Sequence, residues 1–194
     1  SWTPQVTKKV DGGEMKAFTF ELANEDDPNF NKPEKATIDL ANLTDENGNV
    51  RTADFKPKTY KLTDLKNGSK TFTYYVREKN DHSTYPHYKF DQSVYKLNVT
   101  MAVQKDGRIV ASKVTYTKIK DRNGNEVTSD TDHDLTDTST PAPTFTNTYS
   151  TSLPLSGMSG VTLTYLAGAA VLCAAAAWMH IRRKANAKGG ERRE

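Results

Sequence analysis

A single cysteine, Cys173, stands in 194 residues. It has no partner for an internal disulfide, and no cysteine cluster is available for a metal. The sequence contains no G-x-S-x-G elbow and no phosphate-binding loop, so the common nucleophile and nucleotide-binding motifs are missing. Asp130, Asp132 and Asp134 mimic the start of a calcium loop. Leu135 stands where that loop needs Gly, however, and Pro141 where it needs Glu, which excludes an EF-hand. His82 and His87 are five apart in a polar stretch, and two His without a third ligand are weak evidence for a zinc site. No metal and no cofactor is expected. A basic folded surface is also missing. The net charge is +3, but residues 182–194 alone hold six Lys/Arg against two Glu, and residues 158–181 hold no charge. Residues 1–157 are therefore slightly acidic. Nucleic acid is not an expected partner, because counterion release needs clustered Lys/Arg on the folded face.

What the sequence does have is most evident at its C-terminal end. Val161 to Ile181 is an uncharged stretch of 21 residues. As a helix it would rise roughly 31 Å, close to the ~30 Å hydrocarbon core of a bilayer. Trp178 and His180 sit near its end, and Arg182-Arg183-Lys184 follows, which favours a cytoplasmic C-terminus. We assign residues 158–181 to a transmembrane helix and 182–194 to a basic cytoplasmic tail. The chain opens with Ser1-Trp2-Thr3-Pro4, without Met and without an apolar leader. The expectation is a C-terminal piece of a longer, exported protein.

Residues 151–157 form a tether ending in Leu153-Pro154-Leu155-Ser156-Gly157. A pentapeptide, a span and a basic tail in this order resemble the cell-wall sorting signal of Gram-positive surface proteins, usually LPXTG, with Ser156 here in place of Thr. The resemblance implies that a sortase cuts between Ser156 and Gly157. The new carboxyl end would then pass to an amine of peptidoglycan or of a pilin. Pro154 fixes the local backbone, and Gly157 allows close approach of another backbone.

Residues 1–150 alternate apolar and polar positions, with little helical periodicity. Val6/Lys8/Val10, Phe18/Phe20/Leu22, Ile38/Leu40, Phe72/Tyr74/Val76/Glu78, Tyr95 to Val103, Val110 to Ile119 and Phe145/Asn147/Tyr149 each read as a strand. Turn signals separate them at Asp11-Gly12-Gly13, Asn47-Gly48-Asn49, Asn67-Gly68, Asp106-Gly107 and Asn123-Gly124-Asn125. Such spacing predicts a mainly β domain, an immunoglobulin-like antiparallel β-sandwich. Polar, Pro-ended residues 128–143 are expected to be a long exposed loop.

Three of these strands carry a polar residue on an otherwise apolar face: Lys8, Glu78 and Asn147. Successive strand residues point to opposite sides, so each shares its side with apolar neighbours. A buried Lys or Glu is costly unless paired or neutral. Parity points Lys9, the alternative amine, outward.

The segments QVTKKVDGGEMKAFTFEL, TFTYYVREK, FDQSVYKLNVTMAV and PTFTNTY resemble the pilin isopeptide-linkage domain of streptococcal-type surface proteins, over about Gln5 to Tyr149. The resemblance implies a covalent bond from Lys8, in the first strand, to Asn147, in the last. Glu78 would assist, polarising the Asn147 carbonyl and shuttling protons. It implies a structural role without enzymatic turnover. The domain would be wall-proximal in a sortase-anchored surface protein or pilin subunit, covalently attached to the cell wall after transient membrane anchoring. Implied partners are the sortase, peptidoglycan or pilin subunits, the membrane before sorting, and host ligands through upstream domains. Tyr85-Pro86-His87 lacks the Lys of a YPKN-like polymerisation motif, so either another subunit polymerises or that motif lies upstream. The alternative is the anchoring stalk of a secreted hydrolase or adhesin whose active or binding domain precedes Ser1.

Overall fold

Alternation becomes ten strands in the computed structural model, which describes residues 1–41 and 49–152. They are β1 (Gln5–Asp11), β2 (Thr19–Asn24), β3 (Glu34–Thr37), β4 (Val50–Asp54), β5 (Ser69–Glu78), β6 (Tyr88–Lys89), β7 (Val94–Val103), β8 (Ile109–Lys120), β9 (His133–Asp134) and β10 (Thr144–Tyr149). The one helical element among the described residues is a short 3-10 turn, Leu62–Asp64. No described helix is long and apolar enough to cross a membrane. The sorting motif Leu153 to Gly157, the transmembrane assignment 158–181 and the tail 182–194 all lie outside the described residues.

The strands form two sheets. One runs β4-β1-β10-β6 and the other β3-β2-β5-β7-β8-β9. Their inner faces meet through aromatic contacts: Phe145 of β10 lies 5.2 Å from Phe20 of β2 and 5.1 Å from Tyr95 of β7, ring centre to ring centre. Burial follows the two-residue period. Val6, Lys8 and Val10 of β1 are buried while Gln5, Lys9 and Asp11 are exposed. Tyr95, Leu97, Val99 and Met101 form the buried side of β7. Two packed sheets with this patterning agree with the predicted sandwich.

Three details differ from the sequence reading. First, the pairing is not wholly antiparallel, because β1 and β10 are parallel neighbours, with Lys8 opposite Phe145 and Val10 opposite Asn147. Alternation reveals that a segment is a strand, but neither its neighbour nor its direction. Second, the strand read at Ile38 and Leu40 lies earlier, at Glu34–Thr37. Ile38 is buried beyond the ladder, and Leu40 faces solvent. Third, residues 128–143 are partly docked. His133 stacks on Tyr116 at 4.8 Å, Asp130 accepts the Lys118 N–H at 2.6 Å, and Leu135 N–H donates to the Val114 carbonyl. Two short strand residues there complete the edge of the larger sheet. Asp130, Asp134 and Asp137 thus accept hydrogen bonds from the segment itself or from β8. Among the described residues no group of three His, Cys, Asp or Glu is placed to hold a metal.

The turn after β1 is set by close approach. Gly12 has φ of +78°, and a Cβ on Gly13 would come within 2.4 Å of Tyr149 Cβ. That atom belongs to the stem of an aromatic side chain and has little freedom to yield. Gly13→Ala should therefore lower stability by about 1–3 kcal/mol through overpacking, read as a fall in melting temperature. A melting temperature equal to wild type would mean that Tyr149 is not clamped there.

Candidate functional site

Lys8 enters the core because β1 keeps strict alternation and its even positions face the opposite sheet. Asn147 arrives on the adjacent strand two places beyond the Lys8 partner, Phe145, so both side chains share one inner face. Glu78 ends β5 in the other sheet, paired in register with Phe20. Lys8 and Asn147 are fully buried, and Glu78 is 5% exposed.

The three meet at one carboxyl group. Lys8 Nζ donates to Glu78 Oε2 at 2.8 Å, and Asn147 Nδ2 donates to Glu78 Oε1 at 2.8 Å. The Lys8 amine also lies 4.8 Å from the centre of the Phe18 ring. Burial in this aromatic surrounding disfavours charge on both ionisable partners. Desolvation lowers Lys8 to about 8, against the opposing pull of Glu78, with a smaller lowering from the Arg122 charge. Desolvation raises Glu78 to about 7, although Lys8 and the Asn147 amide pull it down. Each group is shifted towards its neutral form. The two shifts bring the proton affinities of the amine and the carboxyl close together.

The structure brings together all three residues singled out from the sequence, and it orients them in one unexpected way. Glu78 faces the Asn147 nitrogen, whereas the sequence reading had it polarising the carbonyl. The carbonyl oxygen, Asn147 Oδ1, instead accepts the main-chain N–H of Asp91 at 2.9 Å. Asp91, 5% exposed, was missed. Its carboxylate accepts the Ser93 N–H at 2.9 Å and the Thr146 N–H at 2.8 Å. It thereby ties the segment after β6 to β10 beside Asn147. The Asp-x-Ser spacing at Asp91-Gln92-Ser93 signals a local Asx turn, but not its tie to a strand more than fifty residues on. Lys9 is exposed and opposite Thr146, away from the cluster.

Glu78 also borders a cavity of about 480 Å³ lined with polar groups, including Lys79, Asn80, Asp91 and Gln92.

Solved structures with a similar fold include the major pilin from Streptococcus pyogenes, 18% identical with a TM-score of 0.46, matched over 76% of this chain and 50% of that one. The T-13 major pilin from Streptococcus pyogenes is 18% identical with a TM-score of 0.48, over 77% and 53%. The T3.2 major pilin from the same species is 14% identical with a TM-score of 0.48, over 77% and 53%. This chain spans about half the length of these pilins. No curated protein sequence matches it. The family model for FctA, described as a Spy0128-like isopeptide containing domain, matches residues 4–150, nearly all of the described structure. The chain belongs to that family.

Proposed function

We propose that this chain is the wall-proximal structural domain of a sortase-anchored surface protein or pilin subunit, stabilised by a self-formed Lys8–Asn147 amide with Glu78 as proton relay. The observation that carries the cross-link is the single buried carboxyl bridging both nitrogens, Lys8 through Oε2 and Asn147 through Oε1. The first nitrogen is the nucleophile and the second the leaving group.

The step balances with these residues alone. One proton passes from the Lys8 ammonium to Glu78, giving a neutral amine and a neutral acid. The amine lone pair attacks Asn147 Cγ, forming the new C–N bond and a tetrahedral centre with its negative charge on Oδ1, and collapse of that centre breaks the Cγ–Nδ2 bond. Glu78 gives its proton to the departing Nδ2 and takes one from Nζ. Ammonia leaves, an amide remains, and Glu78 ends as the acid. Fixed proximity supplies much of the rate, and relay through one carboxyl supplies general acid–base assistance. It is a single-turnover self-reaction. An upstream catalytic or binding domain is the second reading for the whole protein.

Intact-mass measurement under denaturing conditions tests the bond. The chain should be lighter than its sequence by one ammonia, and Lys8→Ala or Asn147→Ala should each restore the full mass. Full calculated mass in the wild-type chain would sink the cross-link.

The rate should also depend on pH in a defined way. The reactive pair needs one proton shared between amine and carboxyl. Below about 7, the Glu78 value, a second proton leaves the amine cationic. Above about 8, the Lys8 value, the last proton departs and nothing remains for the leaving nitrogen. Ammonia loss on refolding should therefore peak between these values and fall on both sides. A rate that keeps climbing above the Lys8 value would exclude the relay through Glu78.

A further inference from the structure

The search for further chemistry leads to the far side of Asn147. Attack on Cγ places negative charge on Oδ1, and the carboxyl of Glu78 does not face that atom. The Asp91 main-chain N–H does, at 2.9 Å. We infer that the Asp91 N–H is the oxyanion donor of the cross-linking reaction, held in place by its own side chain. The inference rests on the cross-link proposed above.

Three observations support it. A main-chain N–H only donates, so the Asn147 atom opposite it must be oxygen. The amide nitrogen is thereby turned to Glu78, which accepts from it at 2.8 Å. One contact thus fixes both where charge develops and which way the leaving group points. Next, the donor is anchored: the Asp91 carboxylate receives the Ser93 and Thr146 N–H groups. Thr146 immediately precedes Asn147, so donor and acceptor move together. Last, the acceptor is shielded from solvent, with Asn147 fully buried and Asp91 5% exposed. A preorganised donor is worth most where water is excluded. Glu78 and Asp91 then divide the work: one moves protons between the nitrogens, and the other stabilises the oxygen.

The test uses the whole chain, recovered unfolded from inclusion bodies and refolded by dilution, with ammonia loss followed by intact mass. Cell-free translation can place the 2-hydroxy acid counterpart of aspartate at position 91. This keeps the carboxylate and replaces the N–H with oxygen. Ammonia loss should slow by roughly 10²-fold, the usual cost of removing one such donor. The position of the pH optimum should stay unchanged, because Lys8 and Glu78 are untouched. A folded ester chain, judged by circular dichroism, that reacts at the wild-type rate overturns the inference while leaving the cross-link standing. A wild-type chain that never loses ammonia overturns both. Lys8→Met provides a readout independent of ester folding, since it cannot react and retains Glu78 and Asn147. Its Asp91 amide should show a through-hydrogen-bond coupling to Asn147 Cγ and slow exchange with solvent. An Asp91 amide in that variant with no coupling and rapid exchange also overturns the assignment.

Discussion

Glu78→Gln should leave the chain at its full calculated mass and lower its melting temperature by about 8–20 °C. The substitution keeps both bonding partners and nearly the same volume, and it removes only the group that carries protons between them. The stability effect follows from ring closure. Lys8 and Asn147 lie near the two ends of the domain, so their bond closes a loop of nearly all its residues. A cross-link over a loop of about 100 residues removes roughly 4–5 kcal/mol of unfolded-state entropy in the disulfide model, used here as an upper guide. A domain of this size shifts by about 2–4 °C per kcal/mol, which gives the range stated. Since whole domains are stable by only about 5–15 kcal/mol, the loss should also accelerate proteolysis. Lys9→Ala is the control: Lys9 is exposed, so the deficit of one ammonia against the calculated mass and the melting temperature should both match wild type. If Lys9→Ala restored the full mass instead, the nucleophile would be the wrong lysine. If Glu78→Gln still lost ammonia at the wild-type rate, the relay would lie elsewhere.

The second large effect concerns anchoring. On a Gram-positive cell, with a secretion leader supplied, the protein should resist detergent until the wall is digested. The released product should end at Ser156. Pro154→Ala, or removal of Leu153 to Gly157, should move it into the detergent-soluble membrane fraction with its basic tail intact. The reasoning is that sortase reads the pentapeptide while the span and tail hold it at the membrane. The change is close to all-or-none, because attachment depends on one cleavage. Wall-released wild-type protein that retains Arg192, Arg193 and Glu194 would make this a plain membrane anchor.

Lys8, Glu78 and Asn147 were legible because two independent rules converge on them. A period of two says which way a strand residue points, and the cost of burying charge says that such a residue needs a reason. Both act within a few residues, so sequence alone carries them. Asp91 obeys neither rule. It sits in the irregular stretch between β6 and β7, and its partners Thr146 and Asn147 are set by tertiary pairing. β4, β6 and β9 escaped notice because short edge strands carry too few alternating positions to stand out. In residues 128–143 composition misled: a polar segment still docks when His133 finds a ring and Leu135 finds a free carbonyl. The parallel partnership of β1 and β10 was illegible for the same reason as Asp91, since nothing local encodes which distant strand lies alongside.

That partnership has a consequence for how far the protein reaches. Because β1 and β10 run the same way, the chain comes in at one end of the sheet and goes out at the other. A seven-residue strand such as β1 spans roughly 23 Å at ~3.3 Å per residue, and that length is added to the path of the backbone. Antiparallel terminal strands would have returned the chain to the side it came from, leaving the domain as a side branch that contributes bulk and no height. With parallel ones, the domain adds its own length to the path of the backbone between the residues before β1 and those after β10.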